Sequence, residues 1–166
     1  MSHHATLPRV IWANRLEQRA LRIHNVLRQP RIDPGHYLYA VSTADSHELP
    51  AVRFNRIALL DTQTILTVLK RSQDAVTSPP RVVEFYNGPS KRMFHIAGLM
   101  SEERQRKFPH RSGPRLTQED FIVGILLSGS EVVNELLLLQ GIEVNTLLRQ
   151  LNITLAPNVR ELLLAG

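Results

Sequence analysis

The sequence predicts an all-α protein made of two pseudo-symmetric four-helix units joined by a Pro-rich linker. Three observations carry that expectation. Apolar residues recur at helical spacing in segment after segment. Asp, Thr, Pro and Gly punctuate those segments where helices start and stop. A pattern in the first half of the chain returns in the second, about half the chain later.

The first segment, VIWANRLEQRALRIHNVLRQ, places Ile11, Arg15, Ala20, Ile23, Val26 and Leu27 on a loose stripe with other arginines opposite, and Pro30 ends it. In RIDPGHYLYAVSTADSHELP, Asp33 is an N-cap and Pro34 sits at the first helical position. Tyr37, Leu38 and Val41 then face a core, and His36 packs near the helix start. ELPAVRFNRIALL carries Pro50 in its first turn, and DTQTILTVLKRS starts on an Asp cap. The stretch QDAVTSPPRVVEFYNGP contains Pro-Pro and Asn-Gly-Pro, both strong breakers. Its Val82, Val83, Phe85 and Tyr86 are open to two readings, a strand or an irregular docked arm.

SKRMFHIAGLMSEERQRK reads as a helix and FPHRSGPR as a basic loop. LTQEDFIVGILLS has Thr117 as N-cap and Asp120 at the third helical position, close to a capping box. GSEVVNELLLLQ is a helix closed by Gly141. EVNTLLRQLN and APNVRELLLAG give the last two helices. The expected organisation is one domain over 1–166. It holds repeat one over 11–72, a linker over 73–89, repeat two over 90–152 and a C-terminal helix over 153–166.

The repeat is visible when the halves are laid together. Arg31-Ile32-Asp33-Pro34-Gly35-His36-Tyr37-Leu38 lies against Arg115-Leu116-Thr117-Gln118-Glu119-Asp120-Phe121-Ile122. Leu60-Asp61-Thr62-Gln63-Thr64-Ile65-Leu66 lies against Ile142-Glu143-Val144-Asn145-Thr146-Leu147-Leu148. A unit that cannot bury its apolar face alone gains a core by pairing with a copy of itself.

In the second half, Leu116, Glu119, Asp120, Phe121, Leu126, Leu127, Val132, Leu136, Gly141, Ile142, Leu147 and Leu151 form a pattern that resembles the Clp repeat. That repeat makes the amino-terminal (Clp-N) domain of Clp-type AAA+ unfoldases. Ile32, His36, Tyr37, Leu38 and Leu60-Asp61 carry the likeness in a more degenerate first half. There the corner Gly is missing, and Gly35 stands where the family often has Glu. The resemblance spans about residues 12–151. It implies a double Clp-N repeat that binds other proteins. The partners implied are a Clp ATPase, a protease subunit, an adaptor or a substrate protein. The ATPase itself is not expected here, because the chain has no Gly-x-x-x-x-Gly-Lys-Ser/Thr loop. A stand-alone protein and a domain excised from a longer unfoldase are both consistent with this.

In some family members the Glu of each repeat helps to hold phosphorylated arginine. Glu119 is the only such acid here, and it equally suits the first turn of a helix. The family's binding surface lies near the junction of the repeats, which makes Phe54, Val83, Phe85 and Tyr86 candidate contacts beside Glu119. The alternative is that these apolar residues seal the core. The stretch RQRKFPHRSGPR supplies a candidate basic rim of Arg104, Arg106, Lys107, Arg111 and Arg115. Such a stretch can steer an acidic partner, grip nucleic-acid phosphates without reading sequence, or simply be solvated.

Composition bounds the chemistry. The chain has 166 residues, 43% hydrophobic and 21% charged, with no cysteine. A disulfide framework, a thiol nucleophile and a Cys-ligated zinc are excluded. Twenty Lys+Arg against 15 Asp+Glu give a formal charge of +5. No Glu-flanked His pair has helical zinc-site spacing, and no strand-to-helix serine elbow occurs, so neither metal, cofactor nor enzyme is expected. No window approaches the roughly 20 apolar residues that span a bilayer. The N-terminus lacks the apolar core of a signal peptide. A cytoplasmic, unanchored binding module is the expectation. A nucleic-acid-associated helical protein using 104–115, and a self-associating scaffold, are the alternatives.

Overall fold

The structure, a computed structural model, describes residues 11–45, 47–73, 85–109 and 116–165, and of 11–14 the backbone alone. The described residues form nine α-helices and no named strand. They are α1 Ile11–Leu27, α2 Pro34–Ser42, α3 Leu49–Ala58, α4 Thr62–Ser72, α5 Gly88–Lys107, α6 Gln118–Leu126, α7 Glu131–Leu139, α8 Val144–Gln150 and α9 Pro157–Ala165. The protein is all-α, and no single described helix is long and apolar enough to cross a membrane.

The second and fourth helices of each half open on matching caps. Asp33 opens α2 with a reciprocal box: its carboxylate accepts from Gly35 N–H, and the His36 side chain accepts from Asp33 N–H. Thr117 and Asp120 build the matching box on α6. Asp61 caps α4 by accepting from both the N–H and the hydroxyl of Thr64. Glu143 caps α8 by accepting from the N–H and hydroxyl of Thr146. At the corner before each of these, the chain turns left-handed, at Leu59 (φ 54°) and at Gly141 (φ 64°). A side-chain cap contributes on the order of 1 kcal/mol, so these short helices owe much of their definition to their first turns.

α2 and α6 are the central helices. Apart from Glu119, every residue of α6 is buried, as are Pro34 to Leu38, Ala40 and Val41 of α2. A helix apolar on all sides belongs inside a core. The two helices touch each other and are wrapped by α1 and α5 respectively, with α3, α4 and α7 closing the sides. Gly124 lets α5 and α6 approach closely: a Cβ there would lie 2.5 Å from the Met93 carbonyl oxygen. One continuous apolar cluster runs through both halves, with Tyr37, Phe54 and Phe121 among its largest members.

Some expectations are corrected. Val26 is not on the buried stripe of α1: it is 68% exposed, and Leu16, Ala20 and Ile23 form that stripe. Asn-Gly-Pro does not lie in a linker running to residue 89. Asn87 is the N-cap of α5, accepting from Ser90 N–H, and Gly88 and Pro89 are its first two residues. The breaker signal and the helix-start signal use the same residue types. Of the two readings of the arm, the structure shows a short extended contact. Ile32 N–H donates to Phe85 C=O at 2.8 Å, and Asn87 N–H donates to Ile32 C=O at 3.3 Å, a single parallel bridge.

Candidate functional site

The halves meet around Asp33, where three helix starts converge. Its carboxylate caps α2 and accepts from Asn87 Nδ2 at 2.7 Å and from Ser130 Oγ at 2.6 Å. Asn87 and Ser130 are themselves the N-caps of α5 and α7. Three helix N-termini thus surround one carboxylate that is only 5% exposed. Partial positive charge at each helix start favours an anion there. Beside it, Ser90 Oγ donates to Ile32 C=O, fixing the loop to α5.

Over this junction opens a cleft of about 1040 Å³ with walls from both halves. Pro30, Val68, Pro89 and Val132 supply apolar surface. Arg31, Arg71, Glu131 and Glu135 supply charge, with an Arg71–Glu135 ion pair across the halves. Gln73 closes one wall by bonding both the N–H and C=O of Arg31, each at 3.2 Å. The cleft is therefore mixed in character rather than purely apolar.

A second, smaller pocket of about 190 Å³ lies at the start of α6. Met100, Glu103, Arg104, Lys107 and Phe108 of the α5 end face Glu119, Asp120 and the 152–156 loop there. Glu119 is exposed on its edge. Arg104 Nη1 donates to both carboxylate oxygens of Asp120 at 2.8 Å. Burial raises the Asp120 pKa, opposed by the bonds from Arg104 and from Thr117 N–H. That shift makes the Asp120 charge a cost above its folded pKa, and Arg104 offsets it. The pair therefore positions the first turn of α6 more than it stabilises the fold.

The sequence candidates fall in different places. Phe54 is 1% exposed, among Leu38, Val41, Ile122 and Ile125 in the core, and so offers no surface to a partner. It belongs to α3 of the first half, and Ile122 and Ile125 of the second half help to cover it. Phe85 and Tyr86 are half-buried in a chain of edge-on rings from His24 through Phe85, Tyr86 and Phe94 to Tyr37 and Phe121. Their rings seal the junction beside the cleft and are not among its lining residues. Arg104, Arg106 and Lys107 form the last turn of α5, where cations suit the helix dipole. Arg106 pairs with Glu103. Val83, Arg111 and Arg115 lie outside the described residues.

Asn87, Ser130, Arg71 and Glu135 were missed as junction residues. Asn-Gly-Pro and Ser-Gly-Ser carried the capping signal, but nothing local shows that both caps reach the same carboxylate. Among the described residues, no group of three His, Asp or Glu is placed to hold a metal.

No protein-family model matches the chain, and no curated protein matches it. A solved structure does. The chain is similar to the Hsp104 N-terminal domain from Candida albicans, with a TM-score of 0.60 at 11% identity, covering 84% of this chain and 85% of that one. At that identity the likeness is one of fold.

Proposed function

We propose that this chain is a non-catalytic protein-binding module of the Clp N-terminal kind, which docks a peptide or partner helix in the cleft between its halves. The observation that carries the reading is that cleft, about 1040 Å³ and walled by both halves, in a fold like that of the Hsp104 N-terminal domain. Its apolar lining residues supply contact area, and its charged ones set orientation. Glu119 and the small pocket beside it form a second contact region, with Arg104 and Lys107 as its basic edge. The proposed partners are a Clp ATPase, its protease, an adaptor or a substrate protein, met in the cytoplasm.

Gly35 supports a single acidic site over two. A Cβ at that position would sit 2.6 Å from Val132 Cγ1 and 2.9 Å from Leu69 Cδ2, so the first half has no room for the acid that Glu119 supplies in the second. Nucleic acid is the weaker reading, because Arg104 and Arg106 already pair with Asp120 and Glu103.

The test is a pull-down from nuclease-treated lysate with the wild-type chain, Glu131→Arg on the cleft wall and Glu119→Lys at the small pocket. Recovery of a Clp ATPase, protease or adaptor by wild type, reduced at least tenfold by Glu131→Arg, supports docking in the cleft. Recovery of partners only from a parallel lysate left without nuclease, or of none from either, overturns the reading.

A further inference from the structure

His36 is fully buried, and both its ring nitrogens are committed. Nδ1 accepts from Asp33 N–H at 2.9 Å, which completes the α2 cap. Because Nδ1 is an acceptor, the proton sits on Nε2, which donates to Gln29 Oε1 at 2.7 Å. Gln29 in turn donates to the Leu69 carbonyl of α4. A second proton has nowhere to go: it would place an N–H against the Asp33 N–H and break the reciprocal cap.

The neighbouring ring makes that proton less welcome. His24 of α1 lies edge-on to His36 at 5.4 Å between centroids and edge-on to Phe85 at 4.9 Å. Its Nε2 is buried without a hydrogen-bond partner among the described residues. Phe85 is the residue whose carbonyl receives Ile32 N–H, so His24 packs on the docked segment and His36 on His24.

We propose that His24 and His36 form an acid-sensitive latch: neutral, they hold segment 85–87 on Ile32 and the helix starts on Asp33, and protonation of His36 undocks that segment. The charged groups that face His36 are His24 from α1, which opposes its protonation, and Asp33 at the α2 start, which favours it. Around His24, the Asn25 side chain and the Gln29 backbone favour the charged ring, while burial opposes it more strongly. Burial and then His24 outweigh Asp33 and bring the His36 pKa down to about 4. A folded value below the ordinary 6.5 stabilises the closed state above 6.5. That stability is lost as pH falls from 6.5 towards 4. The second half holds Asp120 at the matching position, tied to Arg104, so the same turn there has no imidazole to titrate.

Amide hydrogen exchange on the full chain, corrected for intrinsic rates, tests the latch. With an opened-state value near 6.5 and a closed value of about 4, the opening constant for Ile32 and Asn87 rises roughly twenty-fold from pH 7 to pH 5. Leu147 and Leu151, bonded within α8 and its cap, should stay unchanged. His36→Gln keeps an acceptor for Asp33 N–H and a donor for Gln29 without a titrating proton. It should retain protection at pH 7 and lose the acid response. His24→Phe, which keeps the ring contacts, should weaken the response and serves if His36→Gln does not fold. A wild-type His36 ring that titrates near 6.5 by NMR, an equal acid response at Leu147, or an undiminished response in the variants overturns the latch.

Discussion

Leu59 and Gly141 meet the same geometric demand with different residues. Both sit at the left-handed corner before a capped helix, at φ 54° and 64°. Gly carries no steric cost there, whereas an L side chain costs about 1–2 kcal/mol. Leu59 is 72% exposed, so little packing compensates. Leu59→Gly should therefore stabilise the protein by roughly 0.5–1 kcal/mol after the added freedom of Gly in the unfolded chain is subtracted. The check is a raised urea midpoint at unchanged slope. Gly35 is the opposite case. Its φ needs no glycine, but the space does, because Val132 and Leu69 lie where a Cβ would point. Gly35→Ala should cost about 1–3 kcal/mol through overpacking, read by the same titration. The absence of a corner Gly was legible from sequence, as was Gly35 in place of an acid. The reasons were not, since one is a backbone angle and the other a contact with helices 34 and 97 residues away.

The helices themselves were the most legible part of the chain, because their start signals are local. Asp33, Asp61, Thr117 and the Ser-Gly-Ser turn before α7 all cap as their chemistry dictates. Asn87 misled because a Gly-Pro pair after Asn serves a turn and a helix start equally well. What no local rule contains is that α2, α5 and α7 begin at one point. Asp33→Ala removes the α2 cap, worth about 1 kcal/mol. It also leaves the Asn87 amide and the Ser130 hydroxyl without their acceptor, at about 1 kcal/mol or more each when buried. The expected loss is roughly 3–5 kcal/mol, well beyond that of an isolated cap. An Asp61→Ala control, whose carboxylate is exposed and bonds only within its own turn, should lose about 1 kcal/mol. Equal losses for the two variants in thermal or urea unfolding would show that the convergence at Asp33 carries no extra stability.

At the scale of the molecule, a repeat in the sequence does not make two independent bodies. Tyr37 of α2 stacks on Phe121 of α6, and Ala51 N–H of α3 donates to the buried Gln118 side chain of α6. Asp33 is held by Asn87 and Ser130, and Arg71 by Glu135. Each central helix packs mainly on its own half and completes its burial against the other, α2 on α6 and α7 and α6 on α2 and α3. This is why Phe54 of the first half is buried partly by Ile122 and Ile125 of the second, and why the cleft has walls from both halves. A piece of about 70 residues buries little more than about 60% of its unfolded surface even when its core is whole. Here the faces that α2 and α6 present to the other half would also meet water. Residues 1–73 and 85–166 produced as separate chains should each lack near-ultraviolet dichroism and cooperative unfolding. Mixed at equal concentration, they should recover both, because the apolar faces they expose are complementary. Cooperative melting of either half alone would instead mean that one repeat is self-sufficient. The cleft would then be a contact between two finished domains, free to open without unfolding either.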